Sequence, residues 1–136
     1  MKTTRALTLD DARRMGTAAE TEAHRNGWNV SIAVCDAGGH ALWFERMDGA
    51  PAISAHVAPG KARTAALTGK PSKAAEDMIN RGRTAAVTMP ALTMEGGEPV
   101  IFDGAVIGAV GVSGARSSED AQVARAGVAT LDDAEA

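Results

Sequence analysis

The stretch Gly96 to Gly114, GGEPVIFDGAVIGAVGVSG, constrains this chain more than any other. Asp103-Gly104 stands between two apolar runs, and Asp-Gly suits the left-handed backbone of a two-residue hairpin turn. A strand over residues 99 to 102 and another over 105 to 113 are therefore expected. Side chains alternate along a strand, so the second arm presents Val106, Gly108, Val110 and Val112 on one side and Ile107, Ala109, Gly111 and Ser113 on the other. Both sides are apolar or very small, the pattern of a central strand covered on both faces. Glycine weakens a strand unless something approaches the backbone closely, and a packed helix, a second subunit or a flat ligand would each qualify.

Upstream, Thr8 or Asp10 can cap a helix that runs to Asn26-Gly27, with Leu9, Ala12, Met15, Gly16, Ala19 and Ala23 as its buried stripe. Residues 30 to 35 and 41 to 46 read as a second hairpin around the connection DAGGH. In its first strand Val30, Ile32 and Val34 oppose the small Ser31, Ala33 and Cys35, which again admits close covering on the second face. A helical pattern over 52 to 67 is interrupted by Pro59-Gly60. Proline inside a helix removes a hydrogen bond at a cost of ~3 kcal/mol, so a kink or two helices, 52 to 58 and 60 to 67, are expected. Ser72 can cap a short helix carrying Ala75, Met78 and Ile79, whereas residues 81 to 95 lack a period and read as a loop. Ser117 or Ser118 can cap a last helix, with Glu119 and Asp120 in its first turn, and the tail 131 to 136 is expected to fray. The element order makes a single α+β domain over residues 1 to 136, in two or three layers with mostly antiparallel strands.

The formal charge of -3, from 14 Lys+Arg against 17 Asp+Glu, offers no basic stripe to neutralise phosphates, so nucleic acid is not an expected partner. No apolar run approaches the ~20 residues of a membrane span, and the N-terminal segment turns acidic and helical where a secretory signal would be apolar. A cytoplasmic location is the expectation. The lone Cys35 sits in an apolar run and is expected as a small buried hydrophobe. Two Trp, two Phe and no Tyr supply few large anchors, so part of the burial is expected at a subunit interface, in a homo-oligomer. GKARTAALTGK has Pro71 where a P-loop needs Ser or Thr, and GAVIGAVG lies in a strand instead of opening a helix, so neither is a nucleotide fingerprint.

Three pieces in order carry a further likeness: KARTA at Lys61 to Ala65, GGEPVIFDG at Gly96 to Gly104, and IGAVGVSG at Ile107 to Gly114 before an acidic-capped helix. Together they resemble the GlcG/HbpS haem-binding family, also found as the C-terminal domain of PduO-type proteins. Lys61, Ala62, Thr64 and Ala65 match its Lys-Ala-x-Thr-Ala pattern; Gly96, Gly97 and Pro99 match its Gly-Gly-x-Pro turn; Gly108, Gly111, Ser113 and Gly114 match its terminal strand. The resemblance implies a five-stranded antiparallel sheet flanked by helices, profilin-like in architecture, assembled into dimers or larger oligomers. It implies a small-ligand-binding role with haem as the candidate cofactor, since some members bind or degrade it. Pro59-Gly60 departs from the family's continuous helix and would alter one wall of a pocket.

Haem iron takes an axial His, Met, Cys or Tyr. With no Tyr, the candidates are His24, His40, His56, Cys35 and six Met. His56 is the strongest as iron ligand, because its predicted helix also carries Lys61 and Arg63, whose charges suit propionates. Lys61, Thr64, Gly96 and Gly97 complete the candidate haem-contacting set. No CxxCH or close His/Cys cluster points to covalent haem or structural zinc. The same region supports a second reading, a small enzyme acting on an organic acid. There Lys61 and Arg63 would hold a carboxylate, Glu95 or Asp36 would accept a proton, His56 would shuttle it, and amides at Gly96-Gly97 would form an anion nest. In a third reading the protein is an oligomer without ligand, Asp36 caps its own turn, and the cations are solvated or paired. A pocket between segment 56 to 64 and loop 89 to 97 would separate these readings.

Overall fold

A computed structural model describes the backbone of residues 1–135 and the side chains of residues 1–131. α1 (Leu9–Asn26) begins at a reciprocal cap. The Thr8 hydroxyl accepts from the Asp11 amide at 3.1 Å, and the Asp11 carboxylate accepts from the Thr8 amide at 2.9 Å. Ala12, Met15, Gly16, Ala19 and Ala23 are buried, as their spacing predicts, whereas Leu9, at the first helical position, is half exposed.

Two hairpins build the sheet. β1 (Ser31–Asp36) pairs with β2 (Ala41–Arg46), and β3 (Gly97–Phe102) with β4 (Ala105–Ser113). The second hairpin turns at Asp103 and Gly104, with φ of 52° and 78°. Positive φ at both central residues is the type I′ geometry that matches strand twist. β1 and β4 then pair antiparallel in the centre, Ile32 opposite Val112 and Val34 opposite Val110. Among the described residues the sheet has four strands, in the order β2-β1-β4-β3. This corrects the five strands implied by the family resemblance. The long segment before β3 adds none: after α3 (Lys73–Asn80) it forms a short 3₁₀ helix at Thr84–Thr88 and then irregular chain through Pro90, whose missing N–H suits no central ladder.

Side-chain size separates the two faces of the sheet. Ile32, Val34, Val110 and Val112 pack with Met15 and Ala19 of α1 and with Val123 and Ala124 of α4 (Ser117–Glu135). On the opposite face Ala33, Cys35 and Ala109 meet Ala58, Ala62, Ala65 and Ala66 of α2 (Ser54–Thr68). Small residues on both partners let α2 approach the sheet backbone. Gly111 sits beneath it, and a Cβ there would enter the space of the Ala58 carbonyl and the Ala62 amide. A packed helix is therefore what the strand glycine admits.

Of the two outcomes expected at Pro59, a kink or two helices, the second does not occur: α2 runs through it as one element. Docking along the alanine-lined face offsets the one missing hydrogen bond, since helices in proteins are held mainly by packing. Two expected caps take other forms. Ser72 donates to the Met94 carbonyl at 2.5 Å and accepts from the Gly97 amide at 2.8 Å, tying α3 to β3. Before α4, the Asp120 and Glu119 carboxylates accept from the Ala115 and Arg116 amides at 3.0 and 3.1 Å, where serine hydroxyls were expected. α4 continues helical to Glu135, through most of the tail expected to fray; Ala136 lies outside the described residues.

Candidate functional site

Helix geometry divides the residues that the sequence grouped on α2. At 3.6 residues per turn, Gly60 and Arg63 lie within about 40° of His56, whereas Lys61 points about 140° away. His56 and Arg63 are accordingly exposed, and Lys61 is 1 % exposed. The Lys61 ammonium donates to the Val112 carbonyl and to Asp120 Oδ2 of α4, both at 3.0 Å. Burial pushes the Asp120 carboxyl up, while the Lys61 ammonium and the Ala115 amide pull it down. The pair ties α2 to α4.

Gly96 and Gly97 serve this same contact. A Cβ on Gly96, whose φ is 134°, would lie 2.7 Å from Lys61 Nζ, and one on Gly97 would collide with the Lys61 carbonyl. Thr64 is buried too, its hydroxyl within hydrogen-bond distance of the Gly60 carbonyl at 3.0 Å and the Leu92 carbonyl at 2.7 Å. It anchors the loop that follows the 3₁₀ helix.

That loop and the outer face of α2 bound a shallow groove of about 320 Å³, lined by Gly60, Arg63, Pro90, Ala91 and Leu92. Leu92 seats directly on Gly60: a Cβ at residue 60 would lie 2.9 Å from its Cδ1. The β1–β2 turn packs against Arg63 from the other side, where a Cβ at Gly39 would lie 2.8 Å from Arg63 Cγ. Asp36 belongs to that turn, and its Oδ1 accepts from the Gly38 and His40 amides at 2.9 and 3.0 Å. These bonds, the one from His40 first, hold its carboxyl below the usual range. Glu95 lies on the α3 side, where its amide donates to Glu76 at 3.4 Å. The structure thus puts Arg63 on the groove with the β1–β2 turn packed against it at Gly39, leaves His56 exposed one turn before Gly60, and takes Lys61, Thr64, Gly96 and Gly97 into the packing.

Leu92, Pro90 and Gly39 were not singled out from the sequence, because their part in the groove depends on contacts between distant segments. Asp120 was read only as a helix-dipole residue. The signal for its second role was Lys61 itself, set among alanines on a helix that must bury that face. Cys35 is buried, and burial pushes its thiol up to about 12, well away from nucleophilic character at neutral pH. Among the described residues no group of three or more His, Cys, Asp or Glu could hold a bare metal ion. His56 could offer a single ligand to an iron already held by a macrocycle. No helix of the described residues is long and apolar enough to cross a membrane.

The family described as haem degrading protein HbpS-like matches residues 7–129. Protein GlcG of Escherichia coli is 52% identical over 114 residues, which are 83% of this chain and 85% of that protein. The crystal structure of a double mutant of HbpS from Streptomyces reticuli superposes with a TM-score of 0.88 at 35% identity, covering 96% of this chain and 90% of the other. A crystal structure of a PduOC haem complex gives a TM-score of 0.83 at 27% identity, over 92% and 94% of the two chains. The chain belongs to the HbpS-like family.

Proposed function

We propose that this protein is an oligomeric small-ligand-binding member of its family, with haem as the ligand, held at the groove between α2 and residues 90–92. The observation that carries this reading is the exposed face of α2, where Gly60 and Arg63 line a groove walled by Pro90 and Leu92 and His56 lies one turn earlier on the same side. His56 would supply an axial nitrogen, Arg63 would pair with a propionate, and the proline and leucine would meet the apolar macrocycle. Bound haem would supply redox-active iron. The chain's own contribution is to orient it and cover one face. A groove of about 320 Å³ is at the small end of ligand sites, so a macrocycle would be only partly covered by one copy. A second copy closing over the other face fits the scarcity of large aromatic anchors. That a relative has been crystallised as a haem complex supports the ligand class.

The organic-acid reading gains less. Its lysine is committed to Asp120, and Glu95 stands on the α3 side. Titration of the purified protein with haemin is expected to give a saturable Soret band that His56→Ala shifts or abolishes and Arg63→Ala weakens severalfold. Non-saturable absorbance, or spectra identical in the His56 variant, would sink the assignment of His56.

A further inference from the structure

A larger cleft lies on the other face of the sheet, where the N-terminal segment crosses the β3–β4 hairpin. It measures about 440 Å³, and a neighbouring hollow of about 300 Å³ shares its Arg5 and Phe102. The apolar side is made by Leu7, Phe102, Ile107 and Leu131. Ile107 owes its direction to an irregularity in the ladder. Val100 pairs with Gly108 but Ile101 with Val106, so residue 107 is the extra one in β4. Such a bulge re-aims its side chain, here toward Leu7 and the α1 side of the sheet.

The polar side is uneven in charge. Arg14 is committed to Asp11 at 2.8 Å and to Asp10 at 3.4 Å, and Asp11 is held ionised by the Thr8 amide and by Arg14. Arg5 is different: its guanidinium stacks over the Phe102 ring, 5.1 Å from the centroid, and among the described residues it is paired with no carboxylate. The Thr8 hydroxyl is engaged with Asp11, accepting from its amide and bonding its carboxylate, so Arg5 is the polar group of the cleft left open to a ligand. One cation held flat by an aromatic ring and a wall of four apolar side chains match a molecule with one anionic end and a hydrocarbon body.

We propose that this cleft binds a small amphipathic monocarboxylic acid, its carboxylate on Arg5 and its apolar body against Leu7, Phe102, Ile107 and Leu131. The site is separate from the α2 groove and does not depend on haem binding there.

Amide NMR titrations of the full chain with octanoate, and with octan-1-ol as an uncharged probe, test it. Octanoate is expected to give saturable shifts at residues 5–8, 102 and 107. Arg5→Gln is expected to weaken octanoate by about tenfold, the scale of one charge-assisted contact, with octanol unaffected. Arg13→Gln, in α1 with its guanidinium 5.8 Å from the Trp43 ring centroid, is expected to leave octanoate binding unchanged. Absence of saturable shifts overturns the proposal, as does octanoate binding equally well to the Arg5 variant or octanol binding as tightly as octanoate. Displacement of octanoate by haemin would show one shared site and overturn the claim of a separate one.

Discussion

Lys61 carries an ammonium group into the seam between α2, β4 and α4, where it is 1 % exposed and meets Asp120 at 3.0 Å. Removing one member of a buried pair strands the other charge, a loss of about 3–5 kcal/mol. Lys61→Met is therefore expected to lower unfolding stability by that amount in urea denaturation, and adding Asp120→Leu to recover a large part of it. A single variant within 1 kcal/mol of wild type, on the order of an exposed pair, would mean that the contact is dispensable. The sequence could not show this partnership. Lys61 stands close to His56 and Arg63 along the chain, and charge beside charge invites a ligand reading; the helical angle sends it inward, and its acid waits on another helix. The exposure of Arg63 and the Asp36 turn were legible, since a cation on the outer face of a helix and an Asp in Asp-Ala-Gly-Gly act over a few residues. Cys35 was fully legible, because its strand neighbours already marked that face as small and covered.

At the scale of elements, two glycines of the second hairpin are held by different constraints. Gly111 has crowded surroundings, with the α2 backbone at Ala58 and Ala62 in the way of a Cβ, whereas Gly104 has nothing within 4 Å and is required by its φ of 78°. Gly111→Val should push α2 off the sheet and cost about 3 kcal/mol or more, at the upper end of overpacking. Gly104→Ala should cost only about 1–2 kcal/mol, the price of a left-handed backbone. Thermal melts of both variants check the order, and a Gly111 variant more stable than the Gly104 one reverses it. The hairpins and the α1 cap could be read from the sequence because Asp-Gly, period-two alternation and Thr-x-x-Asp act over a few residues. The run through Pro59 could not, since its helix is held by alanines facing a distant strand. Nor could the missing fifth strand, which the family likeness implied and residues 81–95 do not supply.

For the whole molecule, the carboxylates divide into two sets with opposite pH dependence. Asp11 and Asp36 are held low, mainly by backbone amides of Thr8 and His40. Their contribution is present above the unfolded value and is lost as pH falls below about 4. Glu45, Glu98 and Asp120 are pushed up, chiefly by burial, with Trp43, Arg125 and Lys61 respectively opposing the shift. Above about pH 4 the folded state holds more protons on these three than the unfolded chain does, so stability falls as pH rises through that window. Melting temperature is expected to peak on the acid side of neutrality and to drop steeply under more acid conditions, and Glu45→Gln should move the peak toward neutral pH. A monotonic rise to neutrality would contradict this. The ion pair between α2 and α4 has a further bearing on how the chain is made. Lys61 and Asp120 are 59 positions apart, so α2 is synthesised long before its acid exists. Until α4 arrives, closing α2 fully onto the sheet would entomb an ammonium without a counterion. The last helix, packed on the first face of the sheet, thus supplies the charge that lets α2 settle on the second.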